Sequence, residues 1–350
     1  MAHATRLPES LNRAEQMCAA LVVFISRAAG APAHVANLHL LAGGSSQEAW
    51  SLDVVCDGGA WAGEHELVLR RGLGGAINPL ALSRAEEFRV YQVMYEAGVA
   101  VPRPFWLADG EDRILGSDAF LMQRIEGEAI GRRLVREPAF AQARAALPAQ
   151  MAAQLARIHA VPPAALLFLP APAPGLGPAL AAVERLDAQL RDIAEPHPAL
   201  ELGLRWLRRH APQRDRLAVV HGDYRIGNIL AGSDGLRAVL DWEFAHLGDP
   251  IEDIGWTCVR AWRFGQDHLR FGGIGALEPF LDAYAAAGGE RVDPKQVFYW
   301  EVLGNLGWAV GALAQARRHL RGEERSVELA SLGRICAEME LELLNLIQDA

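Results

Sequence analysis

His221-Gly222-Asp223-Tyr224-Arg225-Ile226-Gly227-Asn228-Ile229-Leu230, followed by Val239-Leu240-Asp241-Trp242-Glu243, is the densest concentration of chemistry in the chain. Residues 217–220 ahead of it read as a short apolar strand that delivers a loop. Gly222 and Gly227 give that loop the tight backbone it needs. Asp223 and Asn228 bear oxygen at a spacing of five, and Asp241 ends the next strand. An asparagine and an aspartate together are hard-oxygen donors. They suit a Mg²⁺ ion that keeps waters and phosphate oxygens as its other ligands. A neighbouring carboxylate that the metal does not need can take a proton from a hydroxyl nucleophile.

Upstream of this stretch the chain reads as two regions. Apolar residues recur at Leu11, Ala14, Cys18, Leu21 and Ile25, which predicts an amphipathic helix over 10–29 with Ser10 as its N-cap and Gly30 at its end. Strand-like runs follow at 35–41, 48–56, 64–71, 105–108 and 119–125. A helix over 83–97 interrupts them and closes at Gly98. Residues 138–159 are alanine-rich and helical, and the proline-rich stretch 161–180 reads as an extended connection. Short strands at 217–220, 229–230 and 236–240 precede helices over 277–287, 294–320 and 327–349. The expectation is an α+β chain with a β-rich lobe at 1–124, a link near 122–127 and a helical lobe at 125–350. A division of this kind places a ligand cleft between lobes.

Composition narrows the chemistry. Among 34 basic residues Lys295 is the single lysine. A phosphate-binding G-x-x-x-x-G-K-[ST] loop is therefore excluded, and Schiff-base chemistry would have to use Lys295 in an ordinary surface-like stretch. A GC-rich coding sequence accounts for such a bias. The net charge of −9 argues against nucleic acid as a partner. No run approaches the ~18 apolar residues of a membrane span. Cys18, Cys56, Cys258 and Cys336 are scattered and form no C-x-x-C, which reads as reduced thiols in a cytoplasmic protein.

D-x-x-x-x-N followed by a strand ending in Asp is the catalytic arrangement of kinases. Spelled H-G-D-x-x-x-x-N, with L-D-W in place of D-F-G, it resembles the aminoglycoside phosphotransferase and choline kinase family, small-molecule kinases with a protein-kinase-like fold. Leu155-Ala156-Arg157-Ile158-His159 resembles that family's helix before the catalytic loop, and Gly248-Asp249-Pro250 with Asp253 its segment after the metal aspartate. The resemblance implies ATP and Mg²⁺ as cofactors, Asp223 as the proton acceptor and Asn228 and Asp241 as metal ligands. It implies a phosphate-covering loop at Gly43, Gly44, Ser45 and Ser46. Read alone, those four residues are a hairpin turn, and Gly72, Gly74 and Gly75 are a surface loop. Gln123 and Ile125 fall in the interlobe link, whose backbone would read the adenine edge.

The departure lies in the strand Leu67-Val68-Leu69-Arg70, where a kinase carries a lysine. Alternation puts Val68 and Arg70 on one face. The resemblance implies that Val68 covers the adenine and that Arg70 contacts the phosphates and pairs with a helix glutamate, Glu86 or, matching the family better, Glu87, in place of the usual lysine–glutamate pair; read alone, Arg70 and Glu87 are surface charges. Arg225 either meets the transferring phosphoryl group or pairs with an acid such as Glu243. His221 is expected to bond backbone rather than act as a base. His246, His268 and His319 read as surface or cap residues.

Arg70, Val99-Ala100-Val101-Pro102-Arg103-Pro104, Arg260-Ala261-Trp262-Arg263 and Trp308 resemble the branch associated with acyl-CoA dehydrogenases. That branch suggests a hydroxyacyl-CoA or related small-molecule acceptor. Arg260, Arg263, Arg317, Arg318 and Arg321 would suit an anionic acceptor, or they are solvated helix faces. Two other functions stay open: a nucleotide-binding module with weak catalysis, and an antibiotic kinase of the aminoglycoside type.

Overall fold

The computed structural model describes residues 13–41, 47–72 and 81–348. The chain divides into two compact units. One comprises residues 1–126 together with 242–244, and the other 127–241 together with 245–350.

The first unit is built on an antiparallel sheet. Its strands are β1 (Ala33–Leu40), β2 (Gln47–Cys56), β3 (Gly63–Gly72), β4 (Pro104–Ala108) and β5 (Ala119–Gln123), in the order β1-β2-β3-β5-β4. Alternation along β3 divides its side chains between the two faces. Leu67 and Leu69 join the core formed with helix α1 (Arg13–Ala29), which contributes Met17, Leu21, Phe24 and Ile25. The buried stripe of α1 therefore runs through Met17 and Phe24, while Ala14 is exposed and Cys18 half-buried. The expected Ser10 cap lies outside the described residues.

Helix α2 (Arg84–Glu96) begins with a reciprocal cap. The Ser83 hydroxyl accepts from the Glu86 N–H, and Glu86 accepts from the Ser83 N–H at 2.8 Å. Phe88 and Tyr91 of this helix both meet Phe120, at ring separations of 5.7 Å. Tyr91 also meets Trp242 edge-on at 6.4 Å.

The second unit is mainly helical: α3 (Gly131–Arg136), α4 (Ala141–Ala160), α5 (Pro178–Ile193), α6 (Pro198–Arg209), α7 (Ile251–Cys258), α8 (Leu277–Ala286), α9 (Pro294–Leu320) and α10 (Val327–Gln348). The stretch expected to be fully extended turns helical at Pro163–Leu166, and α5 starts at its end. Prolines at the first turns of α5 and α6 are favoured because that position has no helical acceptor for an N–H. Two small antiparallel ribbons complete the unit. β6 (Ala218–Val220) pairs with β9 (His246–Gly248), and β7 (Ile229–Gly232) with β8 (Gly235–Val239). His246 thus lies in a strand, beside Glu252, rather than on a cap. His319 does act at a helix start, accepting from the Ser326 N–H. Among the described residues no helix is long and apolar enough to cross a membrane.

Helices α7 and α9 approach closely. A Cβ on Gly255 would lie 2.6 Å from the Trp300 backbone, and one on Gly304 would lie 2.8 Å from Val259 and 3.2 Å from the Trp256 ring. This close contact sets the direction in which Trp256 leaves α7.

Candidate active site

The loop from His221 to Asn228 joins β6 to β7, and it is held from beneath. Asp253 of α7, fully buried, accepts from the N–H groups of His221 and Gly222 at 2.8 and 2.9 Å. His159 of α4 meets the same carboxylate at 3.1 Å and Tyr284 at 2.8 Å. Burial alone pushes the Asp253 carboxyl up. The hydrogen bond and charge of His159, with His221, outweigh that effect and hold it below the ordinary value of 3.8. His221 is itself buried. Its Nε2 meets the Leu240 carbonyl at 2.9 Å, and its Nδ1 accepts from the Asp223 N–H. A backbone-bonding histidine is what the loop contains.

Gly222 sits at φ +79°, a conformation open to glycine. Gly227 serves differently: a Cβ there would collide with the Arg225 guanidinium. The Asp223 carboxylate receives three donors. Arg225 Nε donates to Oδ1 at 2.9 Å, Trp256 Nε1 to the same Oδ1 at 2.6 Å, and Asn228 Nδ2 to Oδ2 at 2.6 Å. Asn228 Nδ2 also donates to the Asp223 carbonyl at 2.9 Å. With its amide N–H groups engaged, Asn228 has in Oδ1 an oxygen of the hard type that could ligate a metal. Arg225 pairs with Asp223, and its guanidinium lies 4.5 Å over the Trp262 ring.

The β7–β8 register sets Ile229 opposite Val239, and the Leu240 N–H donates to the Asn228 carbonyl at 2.9 Å. Asp241 therefore leaves the same end of the ribbon as Asn228. Its φ of +69° is left-handed, a conformation aspartate tolerates better than most residues. A hard amide oxygen and a carboxylate at one ribbon end are a donor set that fits Mg²⁺.

In the first unit, β3 and α2 bring together the residues expected there. Arg70 Nη2 lies 2.9 Å from Glu87 Oε1, and Glu87 is fully buried. Glu86, the neighbouring candidate, is taken up by the helix cap. Val68 is buried on the same strand. The Gln123 and Arg124 N–H groups donate to the Arg103 and Glu66 carbonyls at 2.8 Å. Of the three residues 123–125, the Ile125 N–H is the one without a partner among the described residues. Gly43, Gly44, Ser45 and Ser46 lie outside the described residues.

The model of the Phosphotransferase enzyme family matches residues 39–302. The chain belongs to that family. It is 29% identical over 212 residues to mouse acyl-CoA dehydrogenase family member 10, covering 56% of the chain and 18% of that protein. To human acyl-CoA dehydrogenase family member 11 it is 28% identical over 191 residues, covering 53% and 24%. The chain thus spans under a quarter of the length of these curated relatives. Among solved structures, a putative aminoglycoside phosphotransferase from Ralstonia eutropha JMP134 aligns with a TM-score of 0.72 at 22% identity, over 95% of this chain and 98% of that one. A spectinomycin phosphotransferase in complex with ADP and spectinomycin aligns at 0.62 and 12% identity, over 94% and 98%. The fold of this phosphotransferase is the α+β, kinase-like fold of small-molecule phosphotransferases.

Two site residues escaped the sequence. Arg84 forms a second ion pair with Glu87 and lies 3.5 Å from Glu243. Its spacing of three from Glu87 on α2 was the available signal. Trp256 carried none, because it reaches Asp223 across 33 positions of chain. The five arginines offered to an anionic acceptor are all engaged. Arg260 pairs with Asp267 and Glu342, Arg263 with Glu301, Arg318 with Glu324 and Arg321 with Glu323, while Arg317 donates to the Asp192 carbonyl. Four of the five are in ion pairs and the fifth bonds a backbone carbonyl.

Proposed function

We propose that this phosphotransferase transfers the γ-phosphate of ATP to a hydroxyl of a small molecule, and that the acceptor is a hydroxyacyl-CoA or a related hydroxylated metabolite. The observation that carries the reading is Asp223. It is a carboxylate oriented by three donors, beside an asparagine oxygen and an aspartate suited to a metal. Asp223 orients the acceptor hydroxyl and takes its proton as the oxygen bonds to the γ-phosphorus. Arg225 holds a positive charge next to that carboxylate, where charge develops on the transferring oxygens. Asn228 and Asp241 would hold Mg²⁺, which when bound neutralises charge on the β- and γ-phosphates. Arg70, braced by Glu87, contacts the nucleotide phosphates in place of a lysine, with Val68 and the Ile125 backbone on the adenine and residues 43–46 covering the phosphates.

The acceptor class rests on the likeness to acyl-CoA dehydrogenase family members 10 and 11. Four free thiols fit a cytoplasmic protein.

Phosphate transfer from labelled ATP, and in parallel from GTP, into 3-hydroxybutyryl-CoA, kanamycin and choline tests the reading. Transfer to the CoA ester is expected. Asp223→Asn should lower kcat by about 100- to 10,000-fold while nucleotide binding persists. Undiminished turnover in that variant would remove Asp223 from the chemistry. Transfer confined to kanamycin or choline would overturn the acyl-CoA acceptor.

A further inference from the structure

Asp223 has more partners than an aspartate on a loop normally collects, and their distribution is uneven. An ionised carboxylate offers about four lone-pair positions, two on each oxygen. Oδ1 receives both Arg225 Nε and Trp256 Nε1, while Oδ2 receives Asn228 Nδ2 alone. Among the described residues these are its side-chain donors. One position on Oδ2 is therefore open.

We propose that Trp256 is the positioning residue of this active site: with Arg225 it saturates Oδ1 and so assigns the acceptor hydroxyl to Oδ2. The inference rests on the phosphotransferase reading above. Three observations support a dedicated role for the indole. Its N–H donates to Oδ1 at 2.6 Å, as close as the Asn228 amide comes to Oδ2. The ring is seated by a glycine, since a Cβ on Gly304 of α9 would come within 3.2 Å of it. It also packs, tilted by 54°, against Trp262, 5.4 Å away, the same ring that carries the Arg225 guanidinium at 4.5 Å. Both Oδ1 donors are thus held by one aromatic support.

The chemistry follows from the count. The acceptor O–H bond breaks and its proton goes to Oδ2. The acceptor oxygen forms a bond to the γ-phosphorus. The bond from phosphorus to the β,γ-bridging oxygen breaks, and ADP leaves with that electron pair. A neutral N–H on Oδ1 fixes the carboxylate plane without adding a second positive charge, so Oδ2 keeps its capacity to accept.

The test needs no identified acceptor, because water serves: slow ATP hydrolysis is measured for the parent, Trp256→Phe, Asp223→Asn and the double variant. Trp256→Phe keeps an aromatic ring at Gly304 and removes the donor. It should lower kcat by about 10- to 100-fold with KM for ATP within about twofold. In the Asp223→Asn background the same change should cost less than about twofold, because Trp256 acts through Asp223. Equal losses in the two backgrounds would make Trp256 merely structural, and an undiminished single variant would end the proposal. The bond itself is read separately in ¹⁵N-tryptophan-labelled protein. The indole N–H resonance lost in Trp256→Phe should lie downfield and move in Asp223→Ala, and a resonance that stays in place would overturn the proposal. A parent chain without ATP turnover, or an Asp223→Asn variant as active as the parent, would overturn the phosphotransferase reading and this inference with it. The indole resonance would still report whether the bond exists.

Discussion

Glu87 in α2 and Asp223 in the loop after β6 are both carboxylates beside arginine, yet their surroundings differ in kind. Glu87 is sealed from solvent between two guanidinium groups, Arg70 and Arg84. Asp223, 8% exposed, has one guanidinium and two neutral donors, an indole and an amide. Two cations on one buried carboxylate make a brace, in which the acid exists to hold the arginines. One cation with two neutral donors orients the acid without enclosing it between charges. On the proposed function, the difference is that between a residue that braces the nucleotide contact and one that meets the acceptor.

The largest effect should come from unloading the brace. Glu87→Ala leaves two buried guanidinium groups without their acid, and urea unfolding should show a loss of about 3 kcal/mol or more. A loss below about 1 kcal/mol would mean that Glu87 is no more a brace than a surface acid, and the contrast with Asp223 would collapse. Arg70→Lys should act more gently. It keeps the charge and gives up the planar fork, so kcat/KM for ATP should fall roughly fivefold, about 1 kcal/mol. An unchanged value would make the guanidinium replaceable, and coding bias would suffice to explain it.

The smallest effect sharpens the other side of the comparison. Asp253 underlies the Asp223 loop, and its folded pKa is depressed. Its contribution to stability is therefore full above the unfolded value near 3.8 and disappears as pH falls through the lower folded value. Melting temperatures between pH 2 and 5 should drop more steeply for the parent than for Asp253→Asn below about pH 4. Parallel curves would mean that the loop is anchored without the Asp253 charge.

What could be read from sequence follows how local each cause is. The Asp223–Asn228 spacing and the alternation that puts Arg70 on one face of β3 are short-range patterns, and the structure contains them; the strand expected to end at Asp241 stops at Val239, two residues before it. The pairing of Arg70 with Glu87 rather than Glu86 was legible from the family resemblance, and the structure adds that Glu86 is taken up by the Ser83 cap. Arg84 was within reach, three residues before Glu87 on a helix. Other features depend on contacts that no window contains. Trp256 is aimed by the approach of α9, through glycines about fifty residues downstream. β9 is three residues long and exists because β6 lies opposite it. The arginines of the helical unit pair with acids as far as 82 positions away in sequence, which no local charge pattern shows.

The small segment Trp242–Phe244 belongs with residues 1–126, although 115 residues of the other unit come between. It places Trp242 against Tyr91 and Glu243 beside Arg84. No single cut in the gene can therefore release the first unit whole. A fragment ending at 126 would lack one aromatic wall and the acid next to its brace. A module built this way can be duplicated, shuffled or fused to another enzyme as one uninterrupted stretch reaching at least Phe244, and recombination inside that stretch would yield two incomplete halves. The family match, continuous from 39 to 302, likewise runs through both crossings of the chain between the units.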